Sequence, residues 1–253
     1  MHLESRQQDI LRLIGERGFV STEQLSEHFG VTSQTIRRDI NALCEMGLAK
    51  KKHGGVTVPP SISNHAYSAR SMHNSVIKQE IGAIAEEHIE PGSTVFLGYG
   101  TTVMEFAKSI KPGKPLTIVT NNINAALIVS ELPDIEIWIA GGRMRNQHKD
   151  IMGSLTMKLL QSFRADYAIC SCAGISDTGE LLEFQYEEAE ITELLLSRSK
   201  QRFLLADSSK FLRSASVTFA TMRDVDMLFT DCDDPALLAL CEENQLPVRM
   251  TGK

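Results

Sequence analysis

One stretch, Ser21 to Leu43 (STEQLSEHFGVTSQTIRRDINAL), constrains the fold more tightly than any other part of the chain. Ser21 and Gln24 are spaced so that each side chain satisfies the other's free backbone N–H, which predicts a capping box at a helix start. Leu25 and Phe29 then share one helical face, and Gly30 supplies a stop where a left-handed turn needs no Cβ. Val31 can fill the angle that follows, and Thr32 or Ser33 can cap a second helix. Along that helix Ile36, Ile40 and Leu43 repeat at i, i+4 and i+7 and form a single buried stripe. Ser33, Gln34, Thr35, Arg37, Arg38 and Asn41 are left at the start or on the outer face. Two short helices around a tight turn make a helix-turn-helix. A plain helical hairpin with a solvated face would need only the amphipathic stripe; here a cap, a turn glycine and tandem arginines coincide. Arg and Gln can pair bidentately with base edges in a major groove, and Ser, Thr and Asn can hold phosphates.

The flanking residues extend this unit. Residues 3–17 read as a first helix with Ile10, Leu11, Leu13 and Ile14 on its apolar side, and Gly18 as its stop. After Met46-Gly47, the pieces Leu48 to Lys52 and Val56 to Val58 are extended, and His53-Gly54-Gly55 can turn a hairpin between them. That hairpin is a wing. Lys50, Lys51, Lys52 and His53 stand on it, beside the proposed groove reader, where they can reach phosphate. The expected domains are a winged helix-turn-helix over 1–58, a polar linker over 59–74 that opens with Pro59-Pro60-Ser61, and a second domain over 75–253. The net charge is −6, yet residues 1–58 hold eight Lys/Arg against seven Asp/Glu and the remainder is acidic. Binding to nucleic acid is therefore expected to be local.

From Ser75 the chain alternates. A helix over Val76 to Ile89 precedes strand candidates at Thr94–Leu97, Leu116–Val119, Ile135–Ala140, Tyr167–Cys172, Phe203–Ala206 and Met227–Thr230. Helical stretches at 102–110, 123–131, 154–162, 187–199 and 235–243 lie between or after them. The fold class is α/β, with a largely parallel sheet and helices on both faces. Ligands of such sheets bind beyond the carboxyl ends of the strands. The loops there are polar and rich in glycine: Gly98, Gly100, Thr101 and Thr102; Asn121 and Asn122; Gly141, Gly142 and Arg143; Glu183; Asp207 and Lys210. A Gly-Thr-Thr turn opening a helix suits an anion such as phosphate. Asn121, Asn122, Glu183 and Asp207 can bind sugar hydroxyls, and Arg143 or Lys210 can add positive charge.

Other chemistry finds little footing. The five cysteines, Cys44, Cys170, Cys172, Cys232 and Cys241, are odd in number and form no CxxC pair, and the seven histidines form no cluster at ligand spacing. Reduced thiols in a cytoplasmic protein are expected, with no disulfide, metal or cofactor. Cys170 and Cys172, two apart in an apolar run, are expected on one face of a strand. The N-terminal MHLESRQQD lacks an apolar signal region, and no run of about 18 apolar residues suggests a membrane span.

The residues Arg6 to Ile10, Val20-Ser21, Ser33-Gln34-Thr35-Ile36-Arg37-Arg38-Asp39-Ile40 and His53-Gly54-Gly55 resemble the DeoR family of bacterial transcriptional repressors. So do Gly100-Thr101-Thr102, Thr120-Asn121, Gly141-Gly142, Gly153 and Asp207-Ser208-Ser209-Lys210-Phe211 in the second half. The resemblance spans nearly the whole chain. It implies a winged-helix domain followed by a sensor domain similar to ribose-5-phosphate isomerase and the CoA-transferase superfamily. It also implies a repressor of carbohydrate catabolism, a phosphorylated or otherwise anionic sugar effector, and a dimer or tetramer on operator double-stranded DNA. Many members carry an acidic residue where this sequence has Gly98, so a larger or differently charged effector, such as a sulfonated or acidic sugar, becomes possible. The rival reading is a sugar-phosphate isomerase with an accessory DNA-binding module. Glu183 or Asp207 would then be its base and Lys210 its electrophile. No distinct acid/base pair stands out for that role, and no catalytic residue is assigned.

Overall fold

The computed structural model describes residues 5–17, 19–46, 48–52, 54–57, 74–146 and 148–252. The chain divides into two compact units, Met1–His73 and Asn74–Lys253. Gly18, Gly47, His53, Val58 and the linker through His73 lie outside the described residues, and so do the helix stop, wing tip and linker expected there.

In the first unit, α1 (Ser5–Arg17), α2 (Thr22–Phe29) and α3 (Ser33–Glu45) pack with three short strands, β1 (Phe19–Ser21), β2 (Lys50–Lys52) and β3 (Gly55–Thr57). The strands form an antiparallel sheet in the order β1-β3-β2. The expected capping box is present: the Gln24 backbone N–H donates to the Ser21 hydroxyl at 3.1 Å, and the Ser21 N–H donates to Gln24 Oε1 at 2.9 Å. Gly30 ends α2 at φ +63°, a conformation that glycine adopts without Cβ strain. Thr32, and not Ser33, caps α3. Ile10, Leu13 and Ile14 of α1 meet Leu25, Ile36, Ile40 and Leu43 in one core.

The second unit is built on a seven-stranded, wholly parallel sheet. Its strands are β4 (Thr94–Leu97), β5 (Leu116–Thr120), β6 (Ile135–Ile139), β9 (Ala165–Cys170), β12 (Ser199–Leu205), β14 (Met227–Thr230) and β15 (Val248–Met250). Their spatial order is β15-β14-β12-β9-β4-β5-β6. Strand side chains alternate between two cores. Val95, Leu97, Ile118 and Ile169 join α4 (Ser75–Glu86), α5 (Thr101–Ser109) and α6 (Ile123–Val129) on one side. Phe96, Val119, Ala168 and Leu204 join α7 (Ser154–Ser162), α8 (Tyr186–Ser197) and α9 (Pro235–Glu243) on the other. Burial on both faces is what a parallel sheet requires, and it explains strands that read as apolar runs.

Several expectations need correction. β9 ends at Cys170, so Cys172 lies in the loop beyond it and does not share a strand face with Cys170. β12 begins at Ser199, four residues before the expected Phe203, and α8 therefore ends at Ser197. Its first half, Ser199-Lys200-Gln201-Arg202, is polar because it runs along the rim, where Lys200 pairs with Asp166 at 2.8 Å and Arg202 with Asp226 at 2.9 Å. The structure adds a hairpin of β7 (Arg143–Arg145) and β8 (Asp150–Met152). It also adds a small antiparallel sheet of β10 (Gly174–Ile175), β11 (Glu180–Glu183) and β13 (Val217–Thr221). These strands are too short, and too mixed in polarity, for alternation to announce them.

Candidate nucleic-acid interface and sensor site

Helix α3 presents the expected face. Gln34, Arg37, Arg38 and Asn41 are exposed, while Ile36, Ile40 and Leu43 are buried. Ser33 and Thr35 are half-buried, and the Thr35 hydroxyl lies 3.0 Å from that of Thr32, within the helix cap. Asp39 points inward and receives a guanidinium fork from Arg6 of α1, a partner that periodicity could not reveal. The wing lysines are all exposed but not equivalent. Lys52 Nζ stands 5.6 Å from the centre of the Phe19 ring. Lys51 lies close enough to Cys44 to oppose, through charge and a backbone hydrogen bond, the burial that pushes that thiol up. Cys44 is only half-buried, unlike the four buried cysteines of the second unit.

In the sensor unit the chain starts at β4, adds β5 and β6 to one side, then returns to add β9, β12, β14 and β15 to the other. The order reverses between β4 and β9. Outside the carboxyl ends at such a switch point lies the crevice where open parallel sheets take ligands. The Gly98–Thr102 loop follows β4, and Ser171-Cys172 follows β9. A Cβ at Gly100 would come 3.8 Å from the Ser171 Cβ, so the two loops face each other. Gly100 (φ +119°) is the N-cap of α5 and gives its first turn no side-chain acceptor. Thr101 and Thr102 are buried beside it.

The structure separates the expected site residues into two groups. Asn122 Oδ1 caps α6 by accepting from the Ala125 N–H at 3.1 Å, and Asn122 Nδ2 donates to the Gly98 carbonyl at 3.3 Å. Gly141 accepts from the Thr156 hydroxyl at 2.9 Å. Gly142 is a steric necessity, since a Cβ there would lie 2.6 Å from the Met152 carbonyl oxygen. Arg143 is exposed and pairs with the exposed Glu187 at 3.2 Å. These four hold loops together. Arg145, two residues further on, is the more buried guanidinium. It bonds Asp150 at 2.8 Å, Gln185 at 2.8 Å and Glu188 at 2.9 Å.

The second group converges on the switch point. Glu183, Asp207 and Lys210 are all buried and all act electrostatically on the Cys172 thiol, which burial pushes up to about 12. Lys78 of α4, hidden in the sequence because its helix is already accounted for by an apolar face, is buried close enough to Asp207 to stabilise its charge. Burial alone would raise the Asp207 pKa. Lys210 and Lys78, with hydrogen bonds from Ser209 and Asn74, hold it instead at about 2. Asp207 Oδ1 takes those bonds, including one from Asn74 Nδ2 at 3.1 Å, while Asp207 Oδ2 has no partner. Asn121 is fully buried; its Nδ2 donates to the Ile151 carbonyl at 3.0 Å, and its Oδ1 has no partner. The Tyr99 hydroxyl is buried without a well-directed hydrogen bond, near Glu183, Glu188 and Thr192. Among the described residues, then, three polar atoms in the loops after β4, β5 and β12 are buried and unsatisfied. Two further such oxygens, Glu105 Oε2 on α5 and Glu188 Oε2 on α8, belong to carboxylates whose other oxygens pair with Lys108 and Arg145. The described residues contain no group of His, Cys, Asp and Glu able to hold a metal, and no helix long and apolar enough to cross a membrane.

Comparison with known proteins adds to this geometry. Residues 6–61 match the DeoR-like helix-turn-helix domain, and residues 73–232 match the DeoR C terminal sensor domain. The chain is 37% identical over 235 residues to the glycerol-3-phosphate regulon repressor of Escherichia coli K12, covering 93% of each. It is 34% identical to the HTH-type transcriptional repressor CsqR of the same organism, covering 92% of this chain and 89% of that protein. It is 32% identical to the lactose phosphotransferase system repressor of Staphylococcus epidermidis, covering 92% and 94%. Among solved structures, ribose 5-phosphate isomerase A of Methanocaldococcus jannaschii aligns at 14% identity with a TM-score of 0.41, over 55% of this chain and 56% of that one.

Proposed function

The chain belongs to the DeoR family of DNA-binding transcriptional repressors, and on that premise we propose that a hydroxylated, anionic sugar or polyol controls its release from operator DNA. The observation that carries this reading is the set of unsatisfied buried atoms, Tyr99 Oη, Asn121 Oδ1 and Asp207 Oδ2, in loops at the carboxyl edge of the sheet. A buried polar atom without a partner costs about 1–3 kcal/mol. A ligand at this edge of the sheet would supply the missing bonds. The open first turn of α5 at Gly100-Thr101-Thr102 and the buried Lys78 and Lys210 suit its anionic group. Gly98 puts no carboxylate beside that turn, so a sulfonate or carboxylate fits this reading as well as a phosphate.

Ser33, Gln34, Thr35, Arg37, Arg38 and Asn41 would meet DNA from α3, and Lys50, Lys51 and Lys52 would meet flanking phosphates from the wing. Effector and operator would be coupled by about 1–3 kcal/mol, a 5- to 150-fold change in operator affinity. The protein would act in the cytoplasm as a dimer or tetramer on paired half-sites. The sensor would bind its effector without turning it over, in keeping with the transcriptional repressors the chain resembles.

The test is operator release, read by fluorescence anisotropy, against glycerol 3-phosphate, ribose 5-phosphate, glucose 6-phosphate, sulfonated sugars, sugar acids and unphosphorylated sugars. A thermal-shift screen runs alongside. A ligand of the native state at 100 times its Kd adds about 2.7 kcal/mol of stability. Release by one anionic compound is the expected result. Operator binding that no compound disturbs would remove the sensor role and leave the DNA-binding one.

A further inference from the structure

We infer that Tyr99 is the specificity-determining residue of the sensor site, and that its phenol O–H reads a hydroxyl group of the effector. The inference rests on the reading of that edge as the effector site and names what one part of it recognises. Tyr99 follows β4 directly, at the point where the strand order reverses. It is 9% exposed. Its neighbour Gly98 is wedged against β9 and α8, where a Cβ would come 3.3 Å from the Ile169 carbonyl oxygen and 3.6 Å from Leu195 Cδ1. The loop is thus held on the α8 side of the sheet, and its hydroxyl is buried there without a well-directed bond.

The surroundings decide what that hydroxyl can take. Glu183 and Glu188 lie near it, and together with burial they keep the phenol neutral, so that it donates. Arg145 pairs with Glu188 at 2.9 Å, so the Glu183 carboxylate is the charge near the phenol that disfavours a phosphate or sulfonate. An alcohol suits it, because a hydroxyl can accept from Tyr99 and donate to Glu183 at once. Lys78 and Lys210 stand beside Asp207, and an effector that turns its anionic group toward them can present a hydroxyl to Tyr99.

Tyr99→Phe tests this, since it removes one oxygen and keeps the ring. Dissociation constants for glycerol 3-phosphate, ribose 5-phosphate, glucose 6-phosphate and their available deoxy analogues are measured by calorimetry on wild type and variant. Inorganic phosphate is the control. The expected result is about 3- to 10-fold weaker binding of the hydroxylated effector, with the preference over its deoxy analogue lost. Affinity for inorganic phosphate, which has no alcohol hydroxyl for Tyr99 to read, should change far less. The ligand-free variant should melt at the wild-type temperature or above it, because an unsatisfied buried group has been removed. A melting point lowered by several degrees would show a structural bond and overturn the assignment. So would a variant that binds each compound as the wild type does. Silence of the wild type toward every compound would overturn both this assignment and the sugar-phosphate reading beneath it.

Discussion

Arg6 of α1 grips Asp39 of α3 with both arms of its guanidinium, Nε to Oδ2 at 2.6 Å and Nη2 to Oδ1 at 3.3 Å. Asp39 follows Arg37 and Arg38 in sequence but lies on the opposite, buried side of the helix. A forked pair fixes orientation as well as distance. It therefore sets the rotation of α3 about its own axis, and with it the direction of the two exposed arginines. It also neutralises an acid that would otherwise repel phosphate. Arg6→Ala should cost the N-terminal unit about 1–2 kcal/mol, a figure reduced because Arg6 is itself 31% exposed. Operator affinity should fall with it. Circular-dichroism melting and anisotropy titration measure the two effects, and a variant unchanged in both would deprive the pair of its orienting role.

Arg37 should behave in the opposite way. It is exposed on α3, so Arg37→Ala leaves the melting curve in place while operator affinity drops by about 1–3 kcal/mol, the worth of a bidentate base pairing. Replacing Lys50, Lys51 and Lys52 with alanine should instead weaken all DNA sequences alike. The slope of log affinity against log salt should flatten by up to about three units, one for each lysine that meets a phosphate. A salt slope identical to wild type would take the wing off the DNA.

Asn121 and Asn122 are neighbours with different work. Asn122 caps α6, and Asn122→Ala should lower stability by about 1 kcal/mol whether or not effector is present. Asn121→Asp exchanges the amide nitrogen that donates to the Ile151 carbonyl for a second acceptor oxygen in a fully buried site, so it should lower stability without effector and lower it further with effector, whose contact to Oδ1 is also disturbed. Thermal melts with and without effector separate the two. Equal losses in both states for Asn121→Asp would make that residue structural as well.

Asp207 gives the sensor unit an acid limb. Its pKa is lowered in the folded state, from 3.8 to about 2, so its stabilising contribution is complete above pH 3.8 and is lost as pH falls toward 2. The contribution amounts to about 2 kcal/mol. Urea denaturation of Asp207→Asn between pH 5 and 2 should show a shallower pH dependence than wild type by that amount. Parallel curves would mean that the lysines around it do not set its ionisation.

The helix-turn-helix is legible in the sequence almost residue by residue, because caps, turn glycine and stripe are all local. The parallel sheet is legible as alternation, and the β-turn-α loops as a set of polar ends. The strand order is not, since which strand lies beside β4 depends on packing between distant segments, and the switch point follows from that order. The division of the site is hidden for the same reason. Arg143 and Asn122 look like ligand groups by residue type, yet their partners, Glu187 and Gly98, lie 44 and 24 residues away. Lys78, Arg145 and the Tyr99 hydroxyl carry no motif; their importance lies in being buried, and burial of a polar group is set by everything around it.

Asn74 opens the sensor unit, so the chain arriving from the DNA-binding unit enters at that residue. The same side chain donates to Asp207 Oδ1, the carboxylate whose other oxygen is buried without a hydrogen-bond partner. One hydrogen bond thus joins the loop after β12 to the first residue of the sensor unit. A ligand that engaged the free oxygen would draw on a carboxylate already held by the first residue of the sensor unit.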